Sequence, residues 1–226
     1  MPTYFSYGDA ETAYLKRKDR RLGTVIDAIG HIDRAVDTDL FSAVVHHIIG
    51  QQVSTKAQQT IWARMTDGLG TITADTLLAA GRERIQSFGT TFKKTDNILD
   101  FAQKVKSGAF DIAAVSRLPD AEAIAALSSL RGIGVWTAEM ILLFCLQRPN
   151  ILSYGDLAIQ RGMRMVYRHR NITKELFERY RRRLSPYGSV ASLYFWAVAG
   201  GAIPGLKDPA PAKKQPPSKR KRSTTP

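Results

Sequence analysis

The sequence predicts an all-α protein. Apolar residues recur at helical spacing along almost the whole chain, no segment alternates like a half-buried strand, and the connections between periodic segments are short. The first well-marked helix runs over residues 39–49. Leu40, Val44, His47 and Ile48 share one face there, Asp37, Thr38 and Asp39 are candidate caps, and Gly50 marks the end. Further helices follow at Gln58 to Met65, Thr95 to Lys106, Asp120 to Leu130, Trp136 to Leu146, Asp156 to Val166, Lys174 to Leu184 and Ser189 to Val198. The stretch Ser87-Phe88-Gly89-Thr90-Thr91-Phe92-Lys93-Lys94 reads either as a turn that presents basic residues to DNA or as a solvated helix start.

A chain of 226 residues suffices for one or two compact domains. Its 33 Lys and Arg against 20 Asp and Glu give a net charge of +13. Such a balance favours a polyanionic partner, a nucleic acid or an anionic membrane surface. Seven basic residues after Leu206, set against Asp208, account for +6, so the remainder carries +7 and is basic in its own right. From Lys207 the composition turns to Pro, Lys, Ser and Thr, which cannot bury enough apolar surface to offset ordering entropy, and a disordered basic tail is expected over 207–226. Lys219-Arg220-Lys221-Arg222 suits a nuclear localisation signal or a nonspecific DNA tether equally well. Residues 1–7 hold no apolar signal core, and no run is long enough to span a bilayer. The expectation is an intracellular, soluble protein without a membrane partner, in the cytoplasm or nucleoid of a bacterium or the nucleus of a eukaryote.

No metal or other cofactor is expected. The one cysteine, Cys145, lies in the apolar run 141–146, reads as a small buried hydrophobe, and cannot build a four-cysteine cluster. His46 and His47 are adjacent and therefore point in different directions on a helix, with no third ligand in view.

The segment richest in chemistry is 127–162. In Leu130-Arg131-Gly132-Ile133-Gly134-Val135-Trp136-Thr137-Ala138, two glycines flank one aliphatic residue between two helical patterns. That suits a tight hairpin with Ile133 anchored in the core, while amides near Gly134 and at the next helix start face a phosphate. An ordinary inter-helix turn fits the local sequence as well. Asp156 follows in Leu152-Ser153-Tyr154-Gly155-Asp156-Leu157-Ala158-Ile159-Gln160-Arg161-Gly162 and is the only carboxylate between Glu139 and Glu175. It reads as a helix N-cap, and the same placement suits a carboxylate that must face a cationic sugar; the two readings are compatible.

These two segments together resemble the helix-hairpin-helix DNA glycosylase superfamily, and within it the 3-methyladenine DNA glycosylases of the AlkA type. The likeness takes in Ile48-Ile49-Gly50-Gln51-Gln52-Val53-Ser54-Thr55-Lys56-Ala57 and Ser185-Pro186-Tyr187-Gly188-Ser189, and covers roughly residues 35–200. It implies two helical lobes with a cleft between them and the hairpin at the cleft edge: residues 35–118 as the first lobe, 119–206 as the catalytic lobe, and 1–34 packing with the latter. It also implies that the mixed α/β N-terminal domain of some relatives is absent. The expected partner is duplex DNA containing alkylated bases, and the expected state a monomer.

The resemblance further implies site roles. Asp156 is the catalytic carboxylate, stabilising an oxocarbenium-like sugar and directing water to it. Trp136 stands where bifunctional members carry a Schiff-base lysine, so monofunctional hydrolysis is expected. Trp136, Tyr154 and Tyr187 are candidates to line the base pocket, and equally candidates for the core. Gln52, with Gln51 beside it, occupies the position of the wedge that fills the gap left by a flipped base. Gly132, Gly134 and Thr137 belong to the phosphate-binding hairpin. The chain departs from relatives at Ser153, often proline, at Gly188, often arginine, and at Leu184, often tryptophan, all near the expected pocket and bearing on the range of bases removed. The competing readings are a glycosylase for oxidised or mismatched bases and a noncatalytic module that grips the DNA backbone.

Overall fold

A computed structural model describes residues 3–210, and these are overwhelmingly helical. In chain order the elements are β1 (Thr3–Tyr4), α1 (Asp9–Lys18), α2 (Arg20–Ile29), β2 (Ala35–Val36), α3 (Leu40–Gly50), α4 (Thr55–Leu69), α5 (Ala74–Ser87), α6 (Phe92–Lys106), α7 (Ile112–Val115), α8 (Asp120–Ser128), α9 (Val135–Phe144), α10 (Leu157–Tyr167), α11 (Lys174–Leu184) and α12 (Gly188–Ala199). β1 and β2 pair antiparallel over two residues each, Thr3 opposite Val36 and Tyr4 opposite Ala35. The periodicity reading gives no strand, because two residues are too few to show an alternation.

Most helices begin on a side-chain cap that satisfies an amide otherwise left without a partner. Asp19 caps α2, Asp39 caps α3, Ser54 caps α4, Thr91 caps α6 and Thr173 caps α11. The periodicity reading marks no helix over α1, α2, α5 or α7. Of these, α1 is half charged and buries only Leu15, while Gly81 (φ 73°) interrupts α5.

The helices pack in three groups. α3 packs on α4 and α6, and α5 on α6. α10 packs on α12, with α1, α2 and α11 completing that group. The α8–α9 pair lies against α3. A buried apolar core runs through all three, from Leu22 and Ile26 through Val44, Ile48 and Ile98 to Ile141, Met163 and Phe195. The closest approach is at Gly162 of α10, where a Cβ would stand 2.1 Å from the carbonyl oxygen of Phe195 in α12. Only glycine lets the two helix backbones meet there.

The sequence places the start of a disordered tail at Lys207, but the chain remains held beyond that point. Asp208 accepts from Arg164 Nε at 2.9 Å and Nη2 at 2.5 Å, and its Oδ1 also takes the Ala210 amide. The rest of the expected tail, 211–226, lies outside the described residues. Among the described residues no helix is long and apolar enough to cross a membrane.

Candidate active site

Asp156 sits where α9 and α10 meet. It is the N-cap of α10 and only 6% exposed. Its Oδ1 accepts from the amides of Ala158 (2.8 Å) and Ile159 (2.9 Å), and its Oδ2 accepts from Trp136 Nε1–H at 2.9 Å. All three partners are donors, so the group works as an acceptor-only carboxylate at the positive end of a helix dipole. One oxygen is committed to the helix. The other is reached from outside through a single indole donor.

The loop before Asp156 is fastened from α12. Ser189 Oγ accepts the Ile151 amide (2.9 Å) and donates to the Arg148 carbonyl, while Ser192 Oγ donates to the Ile151 carbonyl (2.9 Å). Both serines are fully buried. Buried hydroxyls with all partners made fix a backbone more firmly than apolar packing alone. Periodicity assigns them no such role. The signal that was available is a pair of serines, three residues apart, in an otherwise apolar helix.

The hairpin between α8 and α9 turns at Gly132 (φ 82°), and Ile133 is buried beneath it. A Cβ at Gly132 would lie 2.4 Å from Asn97 Nδ2, so close approach and backbone conformation both demand glycine. Gly134 is the N-cap of α9 with no side chain capping it, which leaves the first-turn amides of α9 without intrahelical partners. Thr137 closes that turn with its side chain buried.

The α3–α4 turn faces this hairpin. Gln51 donates from Nε2 to the Gly132 carbonyl at 2.6 Å, which ties the turn to the hairpin. Gln52 stands exposed beside it in a left-handed conformation (φ 56°), rare for a non-glycine residue and typical of strained functional loops. Lys94 turns inward instead of toward a polyanion: its Nζ donates to the carbonyls of Ile49 (2.8 Å) and Gln51 (2.6 Å) at the end of α3. Partial burial lowers its pKa. Of the two open readings for this stretch, the helix start is the one observed, capped by Thr91.

The predicted aromatics separate. The Trp136 ring is 45% exposed, and Tyr154, on the loop before Asp156, is also exposed on one side while its ring packs edge-on against Phe177 at 5.2 Å. Tyr187 packs edge-on against Tyr14 of α1 at 5.2 Å, and no aromatic contact joins it to Trp136 or Tyr154 among the described residues. Around Asp156 the surface is otherwise apolar for exposed positions: Val135 is 59% and Leu157 79% exposed, each the first residue of its helix. Sequence reading passed over both, although an apolar residue directly after a cap is a recognisable signal.

The remaining nucleophiles and ligands lie elsewhere. His47 Nδ1 is 2.8 Å from the Ala43 carbonyl and His46 rests on the Trp62 ring. Burial lowers the pKa of both imidazoles. Cys145 is buried and its thiol is pushed up to about 12 by burial, so it is an inert hydrophobe.

Residues 45–186 match the HhH-GPD superfamily of base excision DNA repair proteins. The chain is 27% identical over 164 residues to DNA-3-methyladenine glycosylase 1 of Schizosaccharomyces pombe, covering 70% of this chain and 72% of that protein. It spans 57–59% of the length of three further curated relatives from Bacillus subtilis and Escherichia coli. Among solved structures, it is similar to the DNA-3-methyladenine glycosidase of Bacillus halodurans, with TM-score 0.78 and 30% identity over 88% of this chain and 94% of that one. The Schizosaccharomyces pombe 3-methyladenine DNA glycosylase in complex with abasic DNA shares the fold, with TM-score 0.74 at 22% identity over 85% of this chain and 97% of that one. With more than half its length matched, the chain belongs to the HhH-GPD superfamily of base excision DNA repair proteins.

Proposed function

We propose that this protein is a monofunctional DNA glycosylase that hydrolyses the N-glycosidic bond of alkylated purines, such as 3-methyladenine and 7-methylguanine, in duplex DNA. The observation that carries the reading is the fixed carboxylate of Asp156, held by two amides and one indole N–H, with Trp136, Val135, Tyr154 and Leu157 exposed close to it in the chain or through that bond. The names of the relatives support the substrate class.

Alkylation gives the purine ring a positive charge, so the base leaves without protonation. The protein must then stabilise a cationic sugar and supply water to it. Asp156 Oδ2 serves both needs, because its negative charge lies opposite the developing cation and its free lone pair orients the water. The indole of Trp136 carries no amine, so no Schiff base forms at that position and the strand stays intact. The open first turn of α9 at Gly134, with Gly132 shaping the approach and Thr137 closing the turn, binds a backbone phosphate without reading sequence. The exposed Gln52 fills the space of the extruded base, with Gln51 bracing the turn against the hairpin. Tyr154 stacks on the electron-poor base. Tyr187 shapes the wall behind the pocket through its packing on Tyr14.

The test follows free bases released from methylated duplex DNA by the native protein and by Asp156→Asn. Asparagine keeps an oxygen for the α10 amides and removes the charge. Release of methylpurines that vanishes in the variant, with strands unbroken until alkali is added, is the expected result. No release by the native protein, with equal DNA binding by both, refutes the enzyme and leaves a backbone-gripping module. Strand breaks without alkali refute the monofunctional assignment.

A further inference from the structure

α9 grips the segment 153–156 at two points. Trp136 and Glu139 lie three residues apart and so share one face of the helix. Trp136 reaches the Asp156 carboxylate, and Glu139 Oε2 accepts from Ser153 Oγ–H. Ser153 is fully buried, and its carbonyl takes the Asp156 amide at 3.4 Å. Two successive hydrogen bonds therefore join Glu139 to the backbone of Asp156. Among the described residues the Glu139 side chain makes no other hydrogen bond, and no ion pair holds it.

Glu139 is half-buried and opens on its far side to a cavity of about 370 Å³, into which Asp120 of α8 and Arg181 and Arg182 of α11 also project. Of those guanidinium groups, Arg181 bonds through its Nε to Glu178 instead. The carboxyl of Glu139 is raised above its ordinary value by burial, with the Ser153 hydrogen bond and Arg181 opposing the rise and the charge of Asp156 adding to it.

We propose that Glu139 is a positioning residue for Asp156, which through Ser153 sets how deep the segment 153–156 sits on α9 and does so best as a carboxylate. The inference rests on Asp156 being the reacting group and adds the residue that fixes its place. A hydrogen bond to an ionised acceptor is about twice as strong as one to a neutral acceptor, so protonation loosens the tether without breaking it. Because burial holds the Glu139 carboxyl above its ordinary value, that loosening begins at a higher pH than it would for an exposed glutamate.

The experiment measures single-turnover release of 7-methylguanine from duplex DNA as a function of pH, with DNA affinity and thermal midpoint in parallel. Glu139→Gln keeps an acceptor for Ser153 and loses roughly threefold at neutral pH, while Glu139→Ala and Ser153→Ala lose roughly tenfold or more. Affinity stays within about twofold in all three, since none faces the phosphates. As pH falls, the native rate drops to the Glu139→Gln level, and that variant lacks the corresponding limb. Native rates in both Glu139→Ala and Ser153→Ala overturn the proposal, as does an unchanged acid limb in Glu139→Gln. If Glu139→Ala loses its fold, Ser153→Ala and Glu139→Gln decide. Activity persisting in Asp156→Asn sinks the underlying reading instead, so the two failures are distinct.

Discussion

Replacing Trp136 by Phe removes one atom group that matters, the Nε1–H that donates to Asp156 Oδ2 at 2.9 Å, and keeps an aromatic ring in the same place. A hydrogen bond to a charged acceptor is worth about 1.5–3 kcal/mol when fully enclosed. The indole is 45% exposed, so water replaces part of the loss and about 1–2 kcal/mol is the better expectation. If that bond orients Oδ2 toward the sugar, the chemical step slows by roughly 5- to 30-fold. The cap of α10 survives, because Oδ1 keeps the Ala158 and Ile159 amides, and the thermal midpoint should barely move. Single-turnover base release with enzyme in excess isolates the chemical step, and fluorescence anisotropy at fixed salt gives the affinity. A native rate in Trp136→Phe refutes the orienting role. A loss confined to affinity leaves Trp136 as a stacking surface alone, and a loss beyond about a hundredfold exceeds what one hydrogen bond can supply.

Three other expectations follow from the geometry. Gly162→Ala drives a Cβ against the Phe195 carbonyl at the α10–α12 contact, and since both sides are backbone the cost should reach about 3 kcal/mol, a fall of roughly 6–12 °C in melting temperature. Gln52→Ala should slow release from paired duplex by roughly tenfold and much less when the target base is already unpaired, since the unpairing cost is then small; Gln52→Gly relieves the left-handed backbone, so recovery in that variant would assign the effect to strain rather than the lost side chain. Burial lowers the pKa of His46 and His47 in the folded state, so the unfolded chain takes up protons first; stability is full above the ordinary value of about 6.5 and is lost as pH falls through the lower folded values. Urea midpoints measured from pH 7 downward should show that fall, and His47→Leu should make it shallower.

The helical class was legible because most helices carry both a cap and an apolar stripe, as α3 does from Asp39 through Val44 and Ile48. α2 carries the same two signals, Asp19 as cap and Leu22, Val25 and Ile26 on one face, but its mixed polar flanks hid it. α5 was obscured by Gly81, and a two-residue strand pair leaves no period to read. At the site, Asp156 and the hairpin were readable because glycine, aspartate and a helix start are local signals. Trp136 was read as a candidate for pocket or core, and the bond from its indole N–H to a carboxylate twenty positions later was not foreseen. Long-range partners of this kind, like Lys94 on the end of α3 or Glu139 on Ser153, have no spacing rule in the sequence. Tyr187 is a further case: its packing on Tyr14 of α1 joins positions too far apart for any motif to spell out.

The cap at Asp156 also makes the enzyme's state measurable without any substrate. Helix ends ordinarily fray, opening and closing on their own while the rest of the molecule stays folded. At the start of α10 the amides of Ala158 and Ile159 are shielded by the carboxylate proposed to act on the sugar. Their deuterium uptake therefore counts the molecules in which Asp156 has swung away. A protein whose two amides exchange quickly is folded with the carboxylate out of place, and a bound DNA that slows them has braced it, which on the proposed mechanism precedes the chemical step.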